Sequence, residues 1–280
     1  NLSAGITVNS TTILDGGLHR FEFNGEISKA PDVYYGRGYQ AGQYSDNKID
    51  FTRRTLQVTP KYYFRVRKDL FLATGFDFKN TRVNNPEPDR DDNTSVEDLN
   101  AHQEMGVLLN LTYDSRDFLL NPSDGWLFQF DVGRYLDEIG DNDFVTYNVN
   151  LANYVDLTPI PGLIAWQVKG AFTGGDVPWS YLPMVGGGEN LRGYIEGRYR
   201  ERQIAYSQVE YRLPIKDRHG LVTWVGSASL GDHISDIGDD FLMSYGIGYR
   251  LRVKDRVNLR LDYAIGEHDS TVYFNVNEAF

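Results

Sequence analysis

The chain has no cysteine, which removes disulfide cross-links and thiolate metal sites together. Positive charge is scarce: 28 Lys and Arg stand against 39 Asp and Glu, for a formal charge of −11. A nucleic-acid surface must be basic, so no nucleic-acid partner is expected. No uninterrupted apolar run approaches the ~18 residues that a membrane helix needs, and mean hydropathy is negative. Neither point excludes membrane strands, because a β-barrel wall alternates apolar-out with polar-in and averages to a bland value. No long segment keeps the 3.6-residue period of a helix. The chain opens on Asn1 without a secretory leader, so it reads as a mature form or a fragment.

What the chain has instead is alternation. Phe241, Met243, Tyr245, Ile247, Tyr249, Leu251 and Val253 share one face, opposite Leu242, Ser244, Gly246, Gly248, Arg250 and Arg252. Val257, Leu259, Leu261, Tyr263 and Ile265 alternate in the same way with Asn258, Arg260, Asp262, Ala264 and Gly266. Leu56, Val58, Pro60, Tyr62, Phe64 and Val66 oppose Thr55, Gln57, Thr59, Lys61, Tyr63, Arg65 and Arg67. A helix would scatter such residues around its circumference, so these are strands. These lie at 240–253, 256–266 and 49–67, and others are expected near 16–29, 69–83, 101–115, 125–138, 143–157, 162–176, 200–214, 219–231 and 270–280. The chain is all-β, with about twelve strands from residue 16 onward and residues 1–11 as an extra candidate.

Most of these segments reach the ~9–11 residues with which a tilted strand crosses a bilayer, longer than the ~5–6 usual in a soluble sandwich. Their connections alternate: 67–69, 115–124, 157–162, 214–219 and 253–256 are short, while 30–48, 84–100, 177–199 and 232–239 are longer and polar, with 139–142 the exception. Tight turns on one side and long loops on the other are an outer-membrane barrel pattern. The polar faces carry Arg65, Arg67, Asp77, Lys79, Asp131, Glu210, Arg212, Arg250, Arg252, Arg260 and Asp262. That is too much charge for a dry core, at several kcal/mol each unless paired, but acceptable in a wet lumen. The 19 Tyr, each an apolar ring with a polar tip, suit a wall between oil and water. The expected fold is a transmembrane antiparallel up-and-down β-barrel over 16–280. Residues 1–15 are left as an N-terminal arm, a plug or an extra strand lent to a second copy. The competing reading is a soluble β-protein with a solvated face.

The last segment, "STVYFNVNEAF", places Val272, Phe274, Val276 and Phe280 on one face. A terminal strand closing on an aromatic resembles the signal by which bacterial outer-membrane barrels are recognised for assembly; Phe274, Val276 and Phe280 carry it. Earlier, "VGGGENLRGYIEGRYR" (185–200) crowds glycines around arginines. By composition alone it is a phosphate cradle, a slack loop or a latch. It has no P-loop Lys-Ser/Thr after its glycines.

Leu191-Arg192-Gly193-Tyr194 resembles the Arg-Gly-aromatic motif of the bacterial surface-antigen superfamily, the BamA/TamA type of barrel. "YDSRDFLLNPSDGW" (113–126) resembles the family's Asp-x-Arg-Asp…Pro-x-x-Gly turn, "QVEYRLPI" (208–215) the strand after its long loop, and "YFNVNEAF" its chain end. These matches cover roughly the last 170 residues in the family's order. The resemblance implies a long external loop folding back into the lumen, with Arg192, Gly193 and Tyr194 as a latch. A guanidinium there needs a carboxylate, and Glu210 on the next inward face is the expected partner. The family adds an Asp one strand later. Here that strand reads "TWVGSASLGD" with Gly226 at the position, so Glu210 is expected to carry more of the contact. Family members have sixteen strands and periplasmic N-terminal domains, so this sequence reads as a short form without them.

No Gly-x-Ser-x-Gly elbow occurs. His19, His102, His219, His233 and His268 are scattered, with none at metal-ligand spacing. His233 and Ser235 sit two apart in a loop. The acidic run 84–98, with Glu87, Asp89, Asp91 and Asp92, reads as a solvated loop or a site for cations bridging lipopolysaccharide. No enzyme activity, metal or cofactor is expected. The expected setting is the bacterial outer membrane. Partners are lipid and lipopolysaccharide, the barrel assembly machinery through the C-terminal strand, and a second copy in a homodimer. The role is insertion or transport of outer-membrane components, or else a narrow or plugged pore.

Overall fold

The computed structural model describes residues 3–90, 93–188 and 190–280; Asp91 and Asp92 of the acidic run, and Glu189, lie outside them. The strands are β1 (Ala4–Leu14), β2 (His19–Tyr34), β3 (Ile49–Arg67), β4 (Leu70–Pro88), β5 (His102–Asp114), β6 (Gly125–Tyr135), β7 (Phe144–Asp156), β8 (Leu163–Gly175), β9 (Met184–Val185), β10 (Tyr199–Arg200), β11 (Gln203–Lys216), β12 (His219–Gly231), β13 (Leu242–Lys254), β14 (Val257–Ile265) and β15 (Ser270–Val276). Thirteen make one antiparallel sheet in which chain neighbours pair, from β1 to β8 and on from β11 to β15. β8 pairs directly with β11 because the intervening 176–202 connection leaves the sheet, its β9 and β10 forming a separate ribbon. A five-residue helix, α1 (Tyr39–Gln43), lies in the β2–β3 connection.

Period-two alternation becomes two surfaces. Met243, Tyr245, Ile247 and Tyr249 of β13 are exposed on one side, as are Leu261 and Tyr263 of β14 and Val209 and Val225 of β11 and β12. Leu242, Ser244, Arg250, Asp262 and Glu210 are buried on the other. The buried side curls around the 176–202 connection, which reaches β2 through Arg200 and Asp32, β4 through Lys79 and the Ser180 carbonyl, and β14 through Arg192 and Asp262. Arg67 and Arg252 depart from the expected inward set. They are exposed at the tight-turn end, where Arg252 Nη2 donates to the Asp217 carbonyl at 2.7 Å.

The strand count departs from the expected twelve: thirteen in the sheet and fifteen in all. Residues 4–14 pair with β2 along their whole length, from Ala4↔Lys29 to Leu14↔His19. By register Ile6 and Val8 share the face of Ile27 and Gly25, while Thr7 and Asn9 share that of Glu26 and Asn24. Their many small polar residues hide the alternation from a sequence reading. In a thirteen-strand meander the first and last strands run in the same direction, and among the described residues β1 and β15 pair only with β2 and β14.

The chain end also differs from the expected face. Phe274 and Val276 point outward, but β15 stops at Val276 and Asn277 takes φ 70°. Continuing the strand would put the Glu278 carboxylate on the apolar face. The turn carries it inward instead, to Arg250 Nε at 2.7 Å and Asn258 Nδ2 at 2.8 Å. Phe280 follows, packing on Tyr154 inside the curl.

At the tight-turn end, the 115–124 connection is folded by its own carboxylates. Asp114 holds Arg116 through two 2.8 Å bonds. Asp117 accepts from the Ser123 and Asp124 amides at 2.8 and 3.2 Å and from Arg256 at 2.7 Å, tying this connection to the β13–β14 turn. Burial opposes ionisation of Asp117, but the bonds from Ser123, Arg256 and Asp124 outweigh it and hold the carboxyl well below the usual carboxylate range. A depressed folded-state pKa stabilises the fold above the unfolded value of about 4, and the contribution fades as pH falls through the folded value. Asp117→Asn should therefore be less stable than the parent at pH 7. The gap should narrow below about pH 4, as measured by denaturant unfolding in detergent; a gap that does not change with pH contradicts this role.

Candidate functional site

The buried centre of the molecule is built around Arg192, which is 1% exposed. Its Nη1 donates to Asp262 of β14 at 2.8 Å, its Nη2 to Glu210 of β11, and its guanidinium lies 3.7 Å from the ring centroid of Trp224 on β12. The Ser244 hydroxyl of β13 donates to the Arg192 carbonyl. One residue of the connection, by its side chain and its carbonyl, thus touches four consecutive strands.

These contacts belong to a larger ring. Glu210 also binds Arg212 at 2.8 Å, Arg212 lies 4.0 Å from Glu278, Glu278 binds Arg250 at 2.7 Å, and Arg250 returns to Asp262. Three guanidiniums and three carboxylates alternate in a closed circuit, so each buried charge has two opposite neighbours. Pairing of this kind offsets a desolvation cost that a lone buried ion would not survive.

The chain on either side of Arg192 is shaped to seat it. Leu191 adopts φ 69°, a left-handed conformation that a leucine rarely takes. Gly226, at the position where the resembled family has its Asp, leaves the space: a Cβ there would lie 3.1 Å from Leu191 Cδ1. Gly193 has φ 102°, and its Cβ would come within 2.8 Å of the Gly266 nitrogen and the Ile265 carbonyl carbon. The Gly193 amide donates to the Tyr273 hydroxyl at 3.1 Å, and the Tyr194 hydroxyl donates to the Met243 carbonyl at 2.6 Å. Val185, Leu191, Tyr194 and Tyr199 pack on Ile204, Tyr206, Ala228, Leu230 and Leu242 of the wall. Further along, Arg198 reaches the Gly42 carbonyl of α1 at 2.8 Å and Asp269 of the β14–β15 connection at 3.3 Å.

The structure therefore brings Arg192, Gly193, Tyr194 and Glu210 together, and adds Asp262, which the sequence reading leaves among the inward charges without pairing it to Arg192. Its alternation on "NLRLDYAIG" shows that it faces inward, but not that β14 lies opposite the connection. Phe274 and Val276 stand apart on the outer surface, and Phe280 is inside. His233 and Ser235 are exposed and bonded to Asp236. A different pair meets instead: His102 Nε2 lies 2.7 Å from Ser180 Oγ, fastening the connection to β5. Its two residues are far apart in sequence, so spacing gives no sign of it.

A family model described as "Omp85 superfamily domain" matches residues 4–280. No curated protein matches the sequence. Among solved structures the fold is similar to BamA from Haemophilus ducreyi lacking POTRA domains 1-3, at TM-score 0.69 and 14% identity over 98% of this chain and 61% of that one. It is also similar to CdiB from Acinetobacter baumannii, at TM-score 0.63 and 12% identity over 98% of this chain and 49% of that one. The chain thus spans less than two thirds of either relative, and identities this low speak for the fold alone.

Removing the guanidinium opens the ring but leaves Glu210 with Arg212 and Asp262 with Arg250. Arg192→Ala should therefore cost at the low end of the ~3–5 kcal/mol typical of a broken buried pair, with the damage confined to the connection. Gly193→Ala should do the same with every charge retained, because its clash is with backbone. Chymotrypsin should then nick 177–199 faster in both variants than in the parent; equal rates would show that the motif does not hold the connection.

Proposed function

The chain belongs to the Omp85 superfamily, and on that premise we propose that it forms a non-enzymatic outer-membrane β-barrel whose 176–202 connection is an internal latch. The exposed apolar face supports the membrane setting, with lipid and lipopolysaccharide against it. The tight turns lie on the periplasmic side and the longer connections outside, as in outer-membrane barrels generally. Outward Phe274 and Val276 on the edge strand are the surface offered to the barrel assembly machinery.

The role proposed for it is inserting or translocating outer-membrane components. One observation carries this: the latch grips the end of the sheet. Arg192, Gly193 and Tyr194 bind Asp262, Tyr273 and the Glu267 amide, all on β14, β15 or the connection between them. Seating the latch and holding the free edge are mechanically the same event, and releasing it would free an edge able to pair with an incoming strand. In proteoliposomes the parent should speed the assembly of a client barrel, and Gly193→Ala should change that rate. No acceleration by the parent over protein-free liposomes overturns the proposal.

A second reading rests on a different feature. A cavity of about 590 Å³ lies between the connection and the β3–β8 wall, with Lys61, Asp77, Lys79 and Asp131 in its lining. Such a lumen suits a narrow pore plugged by the latch. Planar-bilayer conductance that is stable and rises on deleting 185–199 supports the pore; no conductance in either form removes it.

We also propose a homodimer. Among the described residues the outer edge of β1 has no paired strand, and two copies related by a two-fold axis would meet there antiparallel. Light scattering on detergent-purified protein should give twice the chain mass after subtraction of the micelle, and a monomer overturns the proposal.

A further inference from the structure

Arg260 is the charge that the ionic ring does not use. It is 3% exposed on the inward face of β14, and the carboxylate it pairs with among the described residues, Asp262 at 3.6 Å from Nε, is already shared by Arg192 and Arg250. Asn275 takes Nη2 at 3.1 Å once its amide is turned to satisfy both neighbours. Nε and Nη1 remain without a hydrogen-bond partner. Counting side chains among the described residues, four guanidiniums therefore crowd three carboxylates.

Arg260 lines a cavity of about 390 Å³ between the Gly186–Gly188 turn and the inner side of β14 and β15. Arg260, Tyr273 and Asn190 bring donors to it. The Tyr273 oxygen already accepts from Gly193, so its hydroxyl hydrogen is available. Asn190 uses Oδ1 to accept from Lys169 and keeps its amide hydrogens. Gly188 sits close enough to Arg260 that a Cβ there would lie 3.7 Å from Nη2, so the turn brings its backbone against the guanidinium. Two carboxylates also line the cavity. Glu278 is occupied by Arg250 and Asn258, and Glu196 is exposed to solvent.

We propose that this cavity is a binding site for a phosphate-type oxyanion, with Arg260 as its charged anchor and Tyr273 and Asn190 as neutral donors. A tetrahedral anion accepts from several directions at once, and charge-assisted bonds from a guanidinium are the strong ones. It would also neutralise the surplus charge that the ring leaves over. The cavity borders β15, the last strand of the sheet, so either a free phosphate in the lumen or a lipid phosphate headgroup entering at that edge supplies the same chemistry. The site does not depend on what the latch is for.

The test is thermal unfolding of the detergent-purified full chain, followed by tryptophan fluorescence. One arm titrates inorganic phosphate against chloride at equal ionic strength; the other uses micelles carrying increasing phosphatidic acid. A saturable stabilisation in the phosphate arm identifies a free anion, and one confined to the micelle arm identifies a headgroup. Arg260→Gln should raise the half-saturation point about tenfold or more. Asn190→Asp, which replaces donors with a like charge and leaves Arg260 in place, should do so even if Arg260→Gln folds poorly. Arg67→Gln, at the exposed end of β3, should respond as the parent does. The site is overturned if neither arm exceeds chloride, or if the folded variants keep the parent's half-saturation.

Discussion

A guanidinium buried at the centre of a sheet cannot be left alone, and most of this molecule's interior follows from that constraint. Arg192 enters on a connection rather than on a strand, so the wall must supply its counter-charges. It does so from β11 and β14, with the Trp224 face between them. Those two carboxylates are in turn shared with Arg212 and Arg250, and Glu278 closes the circuit. Any single ion of the ring would be costly in isolation; together they form a neutral six-membered set. The strained Leu191 backbone and the close approach of Gly193 to Gly266 are tolerated because the ring, the Tyr194 hydrogen bonds and the apolar cluster all fix the same position.

The same interactions do work that hydrogen bonds do elsewhere in the sheet. No ladder joins β1 to β15 among the described residues, yet the two ends of the sheet are not independent. On the long-connection side, Arg198 bridges the Gly42 carbonyl and Asp269, and His268 Nε2 meets Gln43 Oε1 at 2.6 Å. On the tight-turn side, Arg256 holds Asp117 and the Glu278 amide donates to the Leu120 carbonyl at 3.3 Å. A backbone ladder resists sliding at every residue, whereas these ties act at single points. The two ends of the sheet are therefore held at fewer points than any two neighbouring strands within it.

The wall was largely legible in the amino-acid order, and its closure was not. Strict alternation with charged inward faces puts β3 at 49–67 and β12 at 219–231, the boundaries that the structure has. Residues 1–15 read as an arm, a plug or an extra strand, and the strand reading, which the structure has, is not singled out because Ser10, Thr11 and Thr12 blur its two faces. Parity puts Phe280 on the face of Phe274 and Val276 only while the strand continues, and Asn277 ends it. The partner of Arg192 was half-legible. Glu210 lies on the strand that follows the connection in sequence, whereas Asp262 lies 70 residues away and becomes a neighbour only once the sheet has curled. Contacts that need the curl have no local trace in the chain.

The ring also sets how the latch can move. Withdrawing Arg192 does not strand its partners, since Glu210 keeps Arg212 while Asp262 keeps Arg250 and the nearby Arg260. The unlatched wall is thus closer in energy to the latched one than a simple buried pair would allow, because the usual penalty comes from an orphaned charge. What is lost is the two-fold sharing, and with it the tie between the connection and β14. Arg212, freed of its ring competitor for Glu210, still donates to the Phe280 carbonyl at 3.0 Å and stacks 5.2 Å from its ring centroid. Opening at the latch therefore changes the charge seen by the inward-turned chain end, through one shared carboxylate. The long connection and the last four residues are consequently two arms of one electrostatic device.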